Sequence, residues 1–509
     1  MIYISSSGKK NKLFFLERSG LFLSTLISLT IFFAFLDLIV ADSHQVYTFT
    51  SLSFFFLSSL VSILLSTRRI LVAQLSSIMI NLYFLHRVPL LYFMPEWLDY
   101  SSYLINSHEY INEASIFFFL DCLFLMIGIM GGRIFWGTLN NSPLKVLHRG
   151  GEECISYFIV RANWAEFLKT SNVVVGSFLL LQIFSLAAYK IGIIGYVYED
   201  YSHSIILALS EITRYYLAIG IFCLFLGLHS NQEIILRRTI FLIFIVLLSY
   251  AIIASRAVIL YAAIYAYIAI QLIGLERQQK YAALFIKLIF LAVILYPLIT
   301  YSRYIFLDQE APSFFTYFLQ FNFIEEISHR LGASVESYLL WYKYMSINPH
   351  EQILSFKNLI IQCINGLVPG SIFSEEGLVN ISKLQVGIGR SEVPYYVSDQ
   401  FLNEIGGHGE NPGVYGQAYI LLKSLAPAAF FVSGFLAALL EGSNINTFWK
   451  FYWIPYLLTA PWLIPTPATL QPLVIWFFII VYINLKKLFF VRQSKKFNSN
   501  FKPLDSRME

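Results

Sequence analysis

Arg256, Arg303, Arg330 and Arg390 are the residues of this chain best suited to hold an oxyanion. A guanidinium fork matches phosphate oxygens in a two-pronged way and never loses its charge, so together the four would suit a pyrophosphate. Two candidate bases stand among them in the sequence, Glu336 and His408, with Glu404 and Glu410 beside the histidine. Imidazole titrates in the range a general base needs, and a carboxylate can also accept the proton of a hydroxyl. His408 lies in the run Asn403-Glu404-Ile405-Gly406-Gly407-His408-Gly409-Glu410-Asn411-Pro412-Gly413, whose glycine density lets backbone approach a ligand closely. The plain alternative for each arginine is a solvated ion pair with Glu310, Glu325, Glu326 or Glu336. No Gly-Lys-Ser/Thr phosphate loop, paired-histidine metal motif or Gly-x-Ser-x-Gly elbow is present, which argues against nucleotide hydrolysis and metalloprotease chemistry.

The elements that must position these residues are membrane helices. Of 509 residues, 57% are hydrophobic and 13% charged, with a mean hydropathy of +0.65; soluble domains carry roughly 25% charged residues. The composition predicts an integral membrane protein. Aromatic residues make up 17% of the chain, with 47 Phe and 33 Tyr, which suits lipid-facing helices and interfacial belts and also sugar handling. The net charge of +4 is small and the bases are not gathered into one patch, so no nucleic-acid partner is expected. Cys122, Cys154, Cys223 and Cys363 form neither a disulfide framework nor a zinc spacing. The first apolar run, which follows Lys9, Lys10 and Lys12, is too long for a signal-peptide core and reads as a retained span.

Apolar runs of spanning length recur at Gly20 to Val40, Val46 to Leu65, Ile70 to Phe93, Ala114 to Trp136, Asn172 to Val197 and Ser204 to Leu228. Others are Thr239 to Ala254, Ala257 to Leu275, Tyr281 to Thr300, Val414 to Leu440, Phe451 to Ile464 and Leu473 to Phe490. The expected fold is an all-α polytopic membrane protein of about twelve transmembrane helices. Residues 1–300 carry spans one to nine, 301–413 a large, partly helical loop, 414–490 spans ten to twelve, and 491–509 a tail. Lys and Arg concentrate in alternate connections, among them Arg68, Arg69, Arg133, Arg149, Arg237, Arg238, Lys450 and Lys486. Ala41 to Gln45, Met94 to Glu113, Tyr198 to His203 and Pro465 to Pro472 hold none. This bias puts both termini in the cytoplasm and the 301–413 loop on the opposite side. Thr239 to Leu275 is read as two spans with Arg256 at their outer junction, because one long helix would place the basic tail outside.

Within the loop, Phe314 to Met345 has helical character, with Ile327, Leu331, Val335, Tyr338, Leu339 and Tyr342 on one face. That face is expected on the membrane surface or on the span bundle. A second apolar segment, Ile353 to Leu367, ends at Pro369-Gly370. Charges inside the expected spans are functional candidates by cost alone: Asp37, His86 with Arg87, Asp121, Lys190, Glu211 with Arg214, Lys287 and Lys423. Glu211 and Arg214, three apart on one helix, can instead neutralise each other.

The aromatic-rich span array, the Ser255-Arg256 step, the large late loop and its exit through Gly407-His408-Gly409 and Pro412-Gly413-Val414-Tyr415-Gly416 to Gln417-Ala418-Tyr419 together carry a resemblance. In these the chain resembles oligosaccharide repeat-unit polymerases of the Wzy type, the bacterial O-antigen and exopolysaccharide polymerases. Members of that family commonly follow such a Gly-x-x-Tyr entry with a Phe-Gly-x-x-Gly-like step, where this chain has Lys423-Ser424-Leu425-Ala426-Pro427. The resemblance implies a metal-independent glycosyltransferase without cofactors, acting at the periplasmic face of the bacterial inner membrane. Undecaprenyl-pyrophosphate-linked oligosaccharides would be donor and acceptor, membrane lipids would surround it, and flippase and chain-length regulator proteins would be its partners. The arginines would then hold pyrophosphate, and His408 or Glu336 would receive the acceptor proton. An O-antigen ligase-like transferase would use the same donor and similar arginines; a lipid-linked glycan flippase would call for small outer loops and polar residues along opposing helices. A cysteine introduced at Ser374, with Cys363 replaced, should react with an impermeant thiol reagent in whole cells; labelling only after inner-membrane disruption would overturn this orientation.

Overall fold

The computed structural model describes residues 71–80, 108–140, 164–190, 205–230, 232–252, 257–273, 296–298, 301, 313–320, 338–339, 341–347, 356–357, 360, 413–443, 445, 447–459, 476–483 and 485–486. Among them the fold is all-α, with no strand. The helices, in chain order, are α1 (Leu71–Ile80), α2 (His108–Asn140), α3 (Trp164–Lys190), α4 (Ile205–Ser230), α5 (Glu233–Ile252) and α6 (Ala257–Ile273). They continue with α7 (Phe314–Gln320), α8 (Gly413–Leu422), α9 (Ala426–Gly442) and α10 (Thr447–Thr459), a 3-10 turn at Lys423–Leu425 joining α8 to α9. The chain divides into two compact units: Met1–Cys154 with Pro312–Gln362 and Asn380–Ile464, and Ile155–Ala311 with Cys363–Val379 and Pro465–Glu509.

In the first unit α2 and α9 lie backbone to backbone. A Cβ on Gly128 would collide with the Phe431 carbonyl, one on Gly132 would stand 2.5 Å from the Phe435 oxygen, and one on Gly434 would strike the Leu125 carbonyl. Contacts advance together along both helices, so α2 and α9 run parallel. Small residues at four-residue spacing are what allow two helices to approach this closely where no water drives them together. At the far end, Glu441 closes the open N-terminus of α1: its carboxylate accepts from the Leu71 N–H at 2.7 Å and the Val72 N–H at 3.3 Å. Arg133 stands 3.6 Å from the same carboxylate, and the Lys450 ammonium donates to the Glu441 carbonyl at 2.8 Å. α10 returns along α9, where the Ser433 hydroxyl donates to the Leu457 carbonyl.

In the second unit α3 and α5 run parallel and α4 antiparallel to α5. Asn172 donates to the Arg238 carbonyl at 3.0 Å, and ten residues further along α3 Gln182 meets Ser249. Gly227 of α4 sits against Ile235 and Leu236, and Gly220 against Ile243. A buried polar seam crosses all three helices: Ser249 donates to the Gln182 side-chain oxygen at 2.6 Å and receives the Thr213 hydroxyl at 2.7 Å. At the start of α3, Lys486 lies 3.3 Å from Glu166.

The stretches Trp164–Phe184 and Val414–Gly442 are long and apolar enough to cross a membrane. Large apolar side chains face outward on α2, α3 and α5, including Phe124, Ile127, Met130 and Ile134, then Phe184 and Phe244. Several expected boundaries move. α3 begins at Trp164 instead of Asn172, because its polar first turns are satisfied by Lys486 and by Arg238, which donates to the Ala165 carbonyl. α5 begins at Glu233 instead of Thr239, with Arg237 paired to Glu233 one turn before it. The expected pair over Thr239 to Leu275 is two separate helices, α5 and α6.

The span expected as one helix over Val414 to Leu440 is broken. Lys423 takes φ 50, Pro427 opens α9, and Tyr415 stacks on Phe430 with ring centroids 4.9 Å apart. In a straight helix those residues would be about 22 Å apart along the axis. The chain therefore turns sharply at Lys423–Leu425, and α9 alone, at 17 residues, has the length of a crossing. Gly128→Ala should lower the unfolding midpoint in detergent by an overpacking cost of about 1–3 kcal/mol. Gly131→Ala, whose new methyl would first meet the Phe435 ring at an ordinary 3.6 Å, should leave the midpoint unchanged.

Candidate functional site

Two tyrosine pairs at i,i+4 spacing, Tyr338 with Tyr342 and Tyr415 with Tyr419, meet over Phe117 and Phe118 of α2. Helical spacing puts each pair on one face, and the sharp turn before α9 brings the α8 pair against the loop pair. Tyr342 stacks on Tyr419 at 4.7 Å, Phe118 meets Tyr415 edge-on at 4.6 Å, and Phe117 touches both Tyr342 and Tyr419. The hydroxyls are directed as well. Tyr338 donates to the Ala114 carbonyl at 2.9 Å, and Tyr342 donates to the Glu113 carboxylate at 3.3 Å. Tyr419 joins through its ring, stacked on Tyr342 and set against Phe117. Burial, and after it the charge of Asp121, pushes the Tyr338 hydroxyl well above its ordinary range. Burial does the same to Tyr342, with Tyr419 and Glu113 adding to it. Both hydroxyls therefore stay protonated and act as donors at any physiological pH.

Glu113 is exposed while its partner Tyr342 is buried, so the carboxylate has a free side toward solvent. Lys343 brings a half-buried cation to the same segment, and burial lowers it from its ordinary value. About two turns beyond Glu113 along α2 lies Asp121, 1% exposed, whose Oδ1 has no hydrogen-bond partner among the described residues. Its neighbour Cys122 donates weakly to the Tyr415 hydroxyl across 3.6 Å. The exposed edge of the cluster is the Glu113 carboxylate, with the half-buried Tyr419 ring beside Tyr342, and a carboxylate at the rim of an aromatic cluster can bind sugar hydroxyls.

Arg256, Arg303, Arg330, Arg390, Glu336 and His408 lie outside the described residues. Arg330, Arg390, Glu336 and His408 belong to the first unit, and Arg256 and Arg303 to the second. In sequence Glu336 precedes Tyr338 by two residues and His408 precedes Gly413 by five, so each candidate base is close in the chain to one half of the tyrosine cluster. Of the charges expected inside spans, Asp121 is buried as described and Lys423 sits exposed at the turn. Lys190, Glu211 and Arg214 lie on α3 and α4 with side chains outside the described residues, as do Asp37, His86, Arg87 and Lys287 altogether. Glu113 and Lys343 were missed by sequence reasoning; two Tyr pairs at helical spacing, one on each side of the glycine-rich run, were the available signal. The chain matches no protein-family model, no curated protein and no solved structure.

Tyr338→Phe should cost about 1 kcal/mol in a detergent unfolding experiment, since its bond is short and buried. Tyr342→Phe, losing a 3.3 Å bond to an exposed carboxylate, should cost less, and a double-mutant cycle with Glu113→Gln should show coupling between them.

Proposed function

We propose that the chain polymerises lipid-linked oligosaccharide repeat units at the outer face of a bacterial inner membrane, transferring a glycan from a polyprenyl-pyrophosphate donor to a lipid-linked acceptor. The observation that carries the reading is the tyrosine and carboxylate cluster, in which a segment from inside the large loop meets the helix at the loop's exit over α2. It offers a sugar-binding surface beside the segments that contain Glu336 and His408.

Helix directions are in keeping with the alternation of spans drawn from the sequence, and the basic residues supply its orientation. α2 and α9 run parallel, as spans four and ten of a twelve-span chain with cytoplasmic termini must. Glu441, Arg133, Lys450 and the start of α1 gather at one end, the end assigned to the cytoplasm by its bases. Tyr338, Tyr342 and Glu113 gather at the other. In the second unit the alternation of α3, α4 and α5 and the meeting of Lys486 with Glu166 follow the same scheme.

In the reaction the acceptor hydroxyl oxygen bonds to the anomeric carbon of the donor sugar while the bond from that carbon to the pyrophosphate oxygen breaks. The hydroxyl proton passes to His408 or Glu336, and the departing charge falls on the lipid pyrophosphate, which Arg330 and Arg390 of the same unit hold. Tyr342, Tyr419 and Glu113 orient the acceptor sugar. The test is purified protein in vesicles with pyrophosphate-linked repeat units, read as a ladder of lengthened glycans. His408→Ala or Glu336→Gln should lose about two to four orders of magnitude in rate, and Arg330→Lys or Arg390→Lys should weaken donor use. Repeat units left at single length by the unaltered protein would overturn the reading; full ladders from both base variants would remove these two residues from the mechanism.

A further inference from the structure

The short helix α7 turns apolar side chains outward. Phe315 is 77% and Leu319 84% exposed, one turn apart, and Phe318 stands exposed beside them. Thr316 falls outside their arc. The start of the helix is held in shape, since the Ser313 hydroxyl accepts from the Thr316 N–H at 3.2 Å and lies 2.6 Å from the Thr316 hydroxyl. The face is thus a formed surface with a polar cap at one end.

We propose that α7 lies in the plane of the membrane interface and buries Phe315, Phe318 and Leu319 among lipid acyl chains. Three features favour lipid over a protein groove. No charge occurs from Ala311 to Ile324, and this stretch is aromatic throughout, with Glu310 before it and Glu325 after. At fourteen residues it is too short to cross a bilayer, and apolar segments of that length are characteristically interfacial or re-entrant. Phenylalanine and tyrosine with short uncharged polar partners suit the headgroup boundary, where the ring is buried and the polar arc stays wet. The apolar face expected over Phe314 to Met345 rests on the bundle where it is described, Tyr338 and Tyr342 being buried on α2, whereas Phe315 and Leu319 of α7 face outward. This inference does not depend on the glycan reading.

The test places spin labels at Phe315→Cys, Leu319→Cys and Thr316→Cys in the full chain, with Cys154 and Cys363 changed to serine and the buried Cys122 and Cys223 kept. The protein is reconstituted in bilayers of phosphatidylethanolamine and phosphatidylglycerol. Relaxation by oxygen should exceed relaxation by a water-soluble nickel chelate severalfold at positions 315 and 319, with the ratio falling severalfold at 316. Labels at 315 and 319 that favour the chelate would show a face in water and overturn the proposal. Labels shielded from both relaxants would overturn it in favour of a protein cover, a second copy if the shielding fades on dilution into excess lipid and a segment of the same chain if it persists.

Discussion

The contact of α2 with α9 through Gly128, Gly132 and Gly434 is the constraint from which the rest of the first unit follows. Glycine here is a matter of distance more than of backbone freedom, because any Cβ would meet a carbonyl of the facing helix. Such an approach lets dispersion forces and Cα–H to oxygen contacts hold two helices that gain nothing by leaving lipid for each other. It also fixes register. With Gly128 level with Phe431 and Gly132 with Phe435, the C-terminal end of α9 arrives where Glu441 can cap α1 beside Arg133. The carboxylate then has two N–H donors and a guanidinium nearby, which offsets the cost of placing it largely out of water.

The turn at Lys423 is the second decision. A non-glycine residue at φ 50 costs on the order of 1–3 kcal/mol and persists only where its surroundings insist on it. Here the stacking of Tyr415 on Phe430 and of Tyr419 on Tyr342 holds α8 back against the first part of the site. Pro427 contributes by fitting the first turn of α9, where its missing N–H would have no partner anyway. The glycine-rich run before Gly413 thus opens into a helix packed on α2, with the spanning length left to α9.

Hydropathy made the helices legible, since a run such as Ala257 to Leu275 has no other stable state in lipid and appears as α6 within two residues. The separation of α5 from α6 was legible from charge bookkeeping in the tail. Helix starts were not: α3 and α5 extend into polar sequence because partners distant in the chain, Lys486 and Ala165, satisfy their first turns. The break at Lys423 was hidden because its usual marker, glycine, is missing and lysine takes the left-handed position. In the site, each tyrosine pair was visible at helical spacing, but their meeting over Phe117 and Phe118 depends on that hidden turn. Glu113 read as the last residue of a loop, since nothing local tells of a tyrosine 229 positions away.

Register and exposure together relate the ends of α2 and α9. Among the α2 side chains whose exposure is described, large apolar ones face outward from Phe124 on, just past buried Asp121. The parallel register carries position 124 of α2 to position 427 of α9, two residues beyond exposed Leu425 and four beyond Lys423. The level of Phe124 on α2 is thus the level at which the Lys423 turn gives way to α9. Above that level stand Glu113, the tyrosine cluster and the Lys423 turn; below it stand the glycine contact and the outward isoleucines and phenylalanines. The turn at Lys423 is what holds the two layers together: a straight helix over Val414 to Leu440 would have carried Tyr415 and Tyr419 away from Tyr342 and left the pair Tyr338 and Tyr342 without its α8 partners.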